Sequence, residues 1–144
     1  SPYLGFSEIR TSYSKIIENS IREIGNQIKL TGFLSHEQTQ KRMLSASIIV
    51  VPSIWEEPFG LVVAEAMSNG VAIVASDLGG IPEIVKDNGI LIKNINTNSI
   101  SIILDELISN PEKLKLLQKK SWDNFKLSSK RGAFLLDKYR ENIL

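Results

Sequence analysis

The sequence predicts an α/β fold in which a parallel sheet carries helices on both faces. Three observations lead there. Short apolar runs rich in β-branched residues recur at 28–33, 48–51, 71–76 and 89–93, as buried parallel strands do. Helix-spaced segments alternate with them, which is the pattern of a layered α/β architecture with right-handed crossovers. Between Ile48 and Gly70 a strand, a loop and a helix follow one another directly, and the loop holds an acidic pair, a proline, an aromatic and a glycine. In an open parallel sheet such a loop lies at the carboxyl edge, where ligands bind.

Taken in order, Thr11–Ile24 places Tyr13, Ile16, Ile17, Ile21 and Ile24 close to helical spacing, with Gly25 as the stop. Ile28–Phe33 reads as the first strand. Ser35 and Gln38 form a capping-box pair that starts a helix running to about Ser45. Ile48–Val51 is the next strand, and Pro52 ends it because proline cannot donate to a ladder. The helix from Gly60 is apolar on nearly every side, so it reads as buried between layers, and Gly70 supplies its left-handed stop. A strand at Val71–Ser76 leads through Asp77-Leu78-Gly79-Gly80 into a short helix at Ile81–Val85 with Pro82 in its first turn. Asn88-Gly89 marks a tight turn before the strand at Gly89–Lys93. Helices follow at Asn98–Ser109, Glu112–Phe125 and Ser129–Ile143, with Pro111 punctuating the first pair.

Composition narrows the function. The 144 residues suffice for one domain with a core. Seventeen basic residues against sixteen acidic give a net charge of +1, so no global field favours nucleic acid as a partner. With no cysteine and His36 as the single histidine, thiolate metal sites, disulfides and histidine clusters are excluded; no metal and no cofactor is expected. His36 fits a helix first turn and receives no chemistry. No apolar run approaches the roughly 20 residues of a membrane span, and no signal pattern opens the chain; the expectation is a cytoplasmic domain.

Glu65 is the one charge between Leu61 and Met67. A carboxylate buried alone is costly. Counted from Gly60 it sits roughly 7 Å along the helix, and helical side chains lean toward the N-terminus, back toward the crevice that Glu57 borders. The competing reading is a helix residue that reaches solvent or pairs with a lysine.

The run Glu57-Pro58-Phe59-Gly60-Leu61-Val62-Val63-Ala64-Glu65 resembles the E-x7-E motif of retaining glycosyltransferases with the GT-B fold, family 4, the glycosyl transferases group 1. The similarity continues through Val51-Pro52-Ser53 before it and Ala66-Met67-Ser68-Asn69-Gly70, Gly79-Gly80-Ile81-Pro82-Glu83 and Asn88-Gly89 after it. A bare E-x7-E is common by chance; this one stands in the strand–loop–helix setting that the motif requires.

The resemblance implies a Rossmann-like domain that binds a UDP- or GDP-linked nucleotide-sugar and, in the whole protein, passes the sugar to a glycan or lipid acceptor with retention, in glycoconjugate or polysaccharide synthesis. It implies roles by position. Glu57 accepts hydrogen bonds from donor-sugar hydroxyls and Glu65 from the ribose, tasks suited to an acceptor-only carboxylate. The backbone amides of Phe59, Gly60 and Leu61 face donor sugar and phosphate at a helix N-terminus. Phe33 and Leu34 contact the base, with plain core as the other reading of Phe33. Trp55 packs under the loop, Glu56 is a solvated charge, and Gly79-Gly80 form a structural turn.

The same resemblance predicts six parallel strands ordered 3-2-1-4-5-6. Against that pattern the chain enters after the second strand, so the first two strands, the diphosphate-binding Arg and Lys, the acid/base and the N-terminal acceptor domain are expected outside residues 1–144. Residues 1–6 as a makeshift strand, or a homodimer that covers the incomplete sheet, are the alternatives to a fragment. The 144-residue chain alone is expected not to turn over donor, and peripheral membrane association would come through the N-terminal domain. Two competing functions are a non-catalytic domain that keeps only the fold and a nucleotide-sugar epimerase on the same scaffold; the motif with its flanks favours the transferase.

Overall fold

A computed structural model describes residues 12–126. The chain divides into two compact units, residues 1–39 and 40–144. In the first, α1 (Ser12–Ile24) runs into a 3-10 turn at Gly25–Gln27. Irregular chain then leads to Ser35, whose hydroxyl accepts from the Gln38 amide at 3.3 Å while Gln38 accepts from the Ser35 amide at 2.9 Å. This is the expected capping box, and it opens α2 (His36–Leu44).

Residues 28–33 are not a strand, contrary to expectation. An extended run becomes a strand only when its N–H and C=O groups enter a ladder, and among the described residues no segment pairs with it. The proposed helix at Ser129–Ile143 and the makeshift strand at residues 1–6 lie outside the described residues.

The second unit holds a three-stranded sheet in the order β1 (Ile48–Val51), β2 (Ala72–Ser76), β3 (Ile90–Ile92). Both pairings are parallel, with Val50 opposite Val74 and Ala75 opposite Leu91. The side chains sort by the two-residue period of a strand. Ile49, Val51, Ile73, Ala75 and Leu91 point to one face, where they meet α3 (Leu61–Ser68), α4 (Ile81–Val85) and Met43 of α2. Ile48, Val50, Ala72, Val74, Ile90 and Ile92 point to the other, against α5 (Thr97–Ser109) and α6 (Pro111–Asn124). Every residue of β2 is buried, as a central strand covered on both faces must be.

Polar ties hold the layers in register. The Gln118 side chain donates to the Ser47 carbonyl at 3.0 Å, and the Ser121 hydroxyl to the Asn88 carbonyl at 3.2 Å, fixing α6 to the amino edge of the sheet. Asn69 donates to the Gln40 side chain at 2.7 Å and to the Glu65 carbonyl at 2.8 Å, closing the end of α3. At the start of α5, Asn96 accepts from the Ser99 amide at 2.9 Å and the Ser99 hydroxyl accepts from the Asn96 amide at 3.0 Å. Asn96→Ala removes this cap and should cost about 1 kcal/mol of stability; chemical denaturation should show a lower midpoint with an unchanged slope.

Candidate functional site

The site grows from the end of β1. The ladder stops at Val51, Pro52 turns the chain out, and Ser53 stays buried beneath the turn. The loop then crosses the carboxyl edge and feeds α3 through Gly60, whose φ of +83° lies in the left-handed region that glycine alone enters without strain. A Cβ there would also come within 3.1 Å of Ile81 Cγ1, so the start of α3 rests directly on α4. The first amides that bond within the helix are those of Val63 and Ala64, both donating to the Gly60 carbonyl. By helix geometry the amides of Gly60, Leu61 and Val62 have no intrahelical acceptor, and glycine brings no capping side chain.

A cavity of about 330 Å³ lies at this helix start, lined by Val51, Glu57, Pro58, Phe59, Gly60, Leu61 and Val62. Glu57, Phe59, Gly60 and Leu61, four of the residues expected at a donor site, are therefore brought together. Glu57 is half-buried and Phe59 is exposed along one side. Glu65 lies one turn further along α3, half-buried, and is not among the lining residues of this cavity. Phe33, which forms a bend, and Leu34 belong to the first unit. Phe33 is 85% exposed, which removes its reading as core, and Leu34 is half-buried. Glu56 is exposed, as expected of a solvated charge.

Two local expectations are corrected. Trp55 does not pack under the loop; it is 61% exposed. The space beneath is filled by backbone. The turn Asp77–Gly80 lies against residues 56–59, and a Cβ on Gly79 would collide with the Glu57 carbonyl oxygen and stand 2.7 Å from the Glu57 nitrogen. One on Gly80 would stand 2.5 Å from the Pro58 carbonyl oxygen. The Gly80 amide donates to the Glu57 carbonyl at 2.7 Å. An indole has no room there. Nor is α3 buried on all sides: Val63, Ala64, Ala66 and Met67 face the core, while Leu61, 67% exposed, and Val62 face outward at the rim of the cavity. The apolar character of the first turn thus belongs to the site rather than to the core.

A second cavity of about 370 Å³ lies at the amino edge, lined by Met67, Glu83, Lys86, Asn88, Lys120 and Phe125 among others. It is slightly larger, but it gathers three lysines and two acids from α4, α6 and the residues that follow each of them, while the start of α3, whose unpaired amides favour an anion, lies at the other cavity. The carboxyl-edge cavity combines those amides, a carboxylate and an apolar wall, which is the composition of a small-molecule site.

Comparisons with known proteins agree with this geometry. Residues 11–122 match the family described as glycosyl transferases group 1. An uncharacterized glycosyltransferase of Methanocaldococcus jannaschii is 35% identical over 112 residues, covering 70% of this chain and 28% of that protein. The lipopolysaccharide 1,2-N-acetylglucosaminetransferase of Salmonella typhimurium is 30% identical over 135 residues, 85% of this chain and 35% of that protein. Among solved structures, Anabaena HepE in complex with UDP and glucose superposes with a TM-score of 0.75 at 25% identity, over 91% of this chain and 36% of that one. Sucrose-phosphate synthase of Thermosynechococcus elongatus gives 0.76 at 26% identity, over 96% and 37%. The chain thus spans about a third of the length of these relatives. The profile match over most of the chain, the parallel sheet and the motif loop at its carboxyl edge together show that the chain belongs to the glycosyl transferases group 1 family.

Proposed function

We propose that this chain is the donor-binding part of a retaining glycosyltransferase, which moves a sugar from a UDP- or GDP-linked nucleotide-sugar to a glycan or lipid acceptor. The observation that carries this reading is the cavity in which the Glu57 loop and the uncapped start of α3 meet. The leaving nucleoside diphosphate gains negative charge as the glycosidic bond breaks. The amides of Gly60 and Leu61 and the positive end of α3 are fixed donors for that charge and need no reorganisation when it develops. The carboxylate of Glu57 accepts from sugar hydroxyls, and that of Glu65, from its position one turn along, accepts from the ribose. Leu61, Val62 and Phe59 supply the apolar wall that excludes water. The diphosphate-binding Arg and Lys, the acid/base and the acceptor site would lie in a full-length protein of the relatives' size, whose N-terminal domain would carry any membrane association.

Incubating the full-length protein with UDP- and GDP-sugars and glycan or lipid acceptors, and following the anomeric proton by NMR, tests this. Release of nucleoside diphosphate with retained configuration in the product is expected. Inversion, or epimerised nucleotide-sugar without transfer, contradicts it.

A further inference from the structure

We propose that Gly79 and Gly80 are positioning residues for Glu57, and that the turn they form tunes recognition of the donor sugar without touching it. The proposal rests on the donor-binding reading above. The needs of the turn itself account for only one of the two glycines. Gly79 has a φ of +58°, which favours glycine, but Gly80 has a φ of −81° that any residue adopts. What excludes a side chain at Gly80 is the neighbouring loop: an added Cβ would stand 2.5 Å from the Pro58 carbonyl oxygen, 3.0 Å from its carbon and 3.1 Å from Phe59 Cα. At Gly79 the obstacles are the carbonyl oxygen and nitrogen of Glu57 and the carbonyl carbon of Glu56. All are backbone atoms, so no flexible side chain can yield.

The turn is itself held firmly. The Asp77 amide donates to the Ile92 carbonyl at 2.9 Å, which ties it to the end of β3, and Gly80 leads straight into α4. The Gly80 amide then donates to the Glu57 carbonyl at 2.7 Å. A rigid turn therefore fixes the backbone of the very residue whose carboxylate would read the sugar. Recognition by hydrogen bonds tolerates displacement of only about 0.5 Å, and a Cβ at Gly80 forces a shift of that order. The atoms nearest to a Cβ on Gly79 or Gly80 belong to residues 56–59, the stretch that holds Glu57, and none of them to Glu65.

The test measures the affinity of the full-length protein for UDP and GDP and for the matching nucleotide-sugars by calorimetry, in the Gly80→Ala, Glu57→Gln and Gly70→Ala variants. Gly80→Ala should weaken the nucleotide-sugar by about fivefold and leave the nucleoside diphosphate within about twofold, reproducing the pattern of Glu57→Gln in milder form. Gly70→Ala is the control for stability alone: its φ of +69° strains alanine, but its neighbours are Trp122 and Gln118, away from the loop. It should lower the melting temperature and show no such split. If Glu57→Gln splits the two ligands and Gly80→Ala weakens both equally or neither, the positioning role is overturned. If Glu57→Gln itself shows no split, the sugar-binding role of Glu57 fails, and the proposal with it. Should Gly80→Ala not fold, the unaltered protein decides by amide hydrogen exchange. Nucleotide-sugar should protect the Gly80 amide more than nucleoside diphosphate does, and equal protection overturns the proposal.

Discussion

In the full-length protein, Glu65→Gln is expected to weaken the nucleoside diphosphate and the nucleotide-sugar alike, by about tenfold or more, because both ligands carry the ribose. A charge-assisted hydrogen bond contributes about 1.5–3 kcal/mol, and about 1.4 kcal/mol is a factor of ten in affinity. Glu57→Gln is expected to behave differently. The bare nucleoside diphosphate lacks the sugar that Glu57 would hold, so its affinity should stay nearly unchanged while that of the nucleotide-sugar falls. Glutamine is nearly isosteric with glutamate, and both residues are half-buried rather than core, so folding should survive. Calorimetric titration of two ligands against two variants gives four affinities, with thermal unfolding as the check on integrity. Equal weakening of the nucleoside diphosphate by both variants contradicts the division of roles.

Ile81→Ala carries the largest expected effect on stability. Ile81 is fully buried at the first position of α4, in the cluster with Val63, Ile73 and Val85. Its Cγ1 also packs beneath Gly60, where a Cβ added to that glycine would stand 3.1 Å away. Truncation removes buried methyl and methylene groups and leaves a void that the parallel sheet on one side and α3 on the other cannot collapse into. Such changes cost about 2–5 kcal/mol. Denaturant unfolding should show the midpoint falling accordingly. An effect below about 1 kcal/mol, the range of volume-conserving swaps, would mean that α4 does not bear on the core as described.

Features set by neighbours in sequence were legible from the sequence. Pro52 ends β1, Ser35 and Gln38 cap α2, and the parallel β2 and β3 fall within one residue of their apolar runs. Each depends on chemistry within a few positions. Features set by distant partners were not. Ile28–Phe33 has the composition of a strand, but a ladder needs a neighbour, and none pairs with it among the described residues. Trp55 lies outside the loop because the backbone that occupies the space beneath comes from Gly79 and Gly80, more than twenty positions on. Leu61 and Val62 look like core in any apolar run; only the position of the cavity turns them outward. The motif residues themselves were legible as a group because strand, loop and helix are contiguous. The doubled glycine at 79–80 was the available signal for the close approach, and it reads from sequence as a turn alone.

On the proposed function, donor enters at the carboxyl edge of the sheet and not at the slightly larger cavity of the amino edge. Hydrogen–deuterium exchange of the full-length protein, with and without nucleoside diphosphate and nucleotide-sugar, compares the two directly. Slowed exchange is expected in residues 57–65, with the amides at the start of α3 among those protected, and little change in residues 83–88 and 120–126. Protection confined to those latter segments, which line the amino-edge cavity, would contradict it.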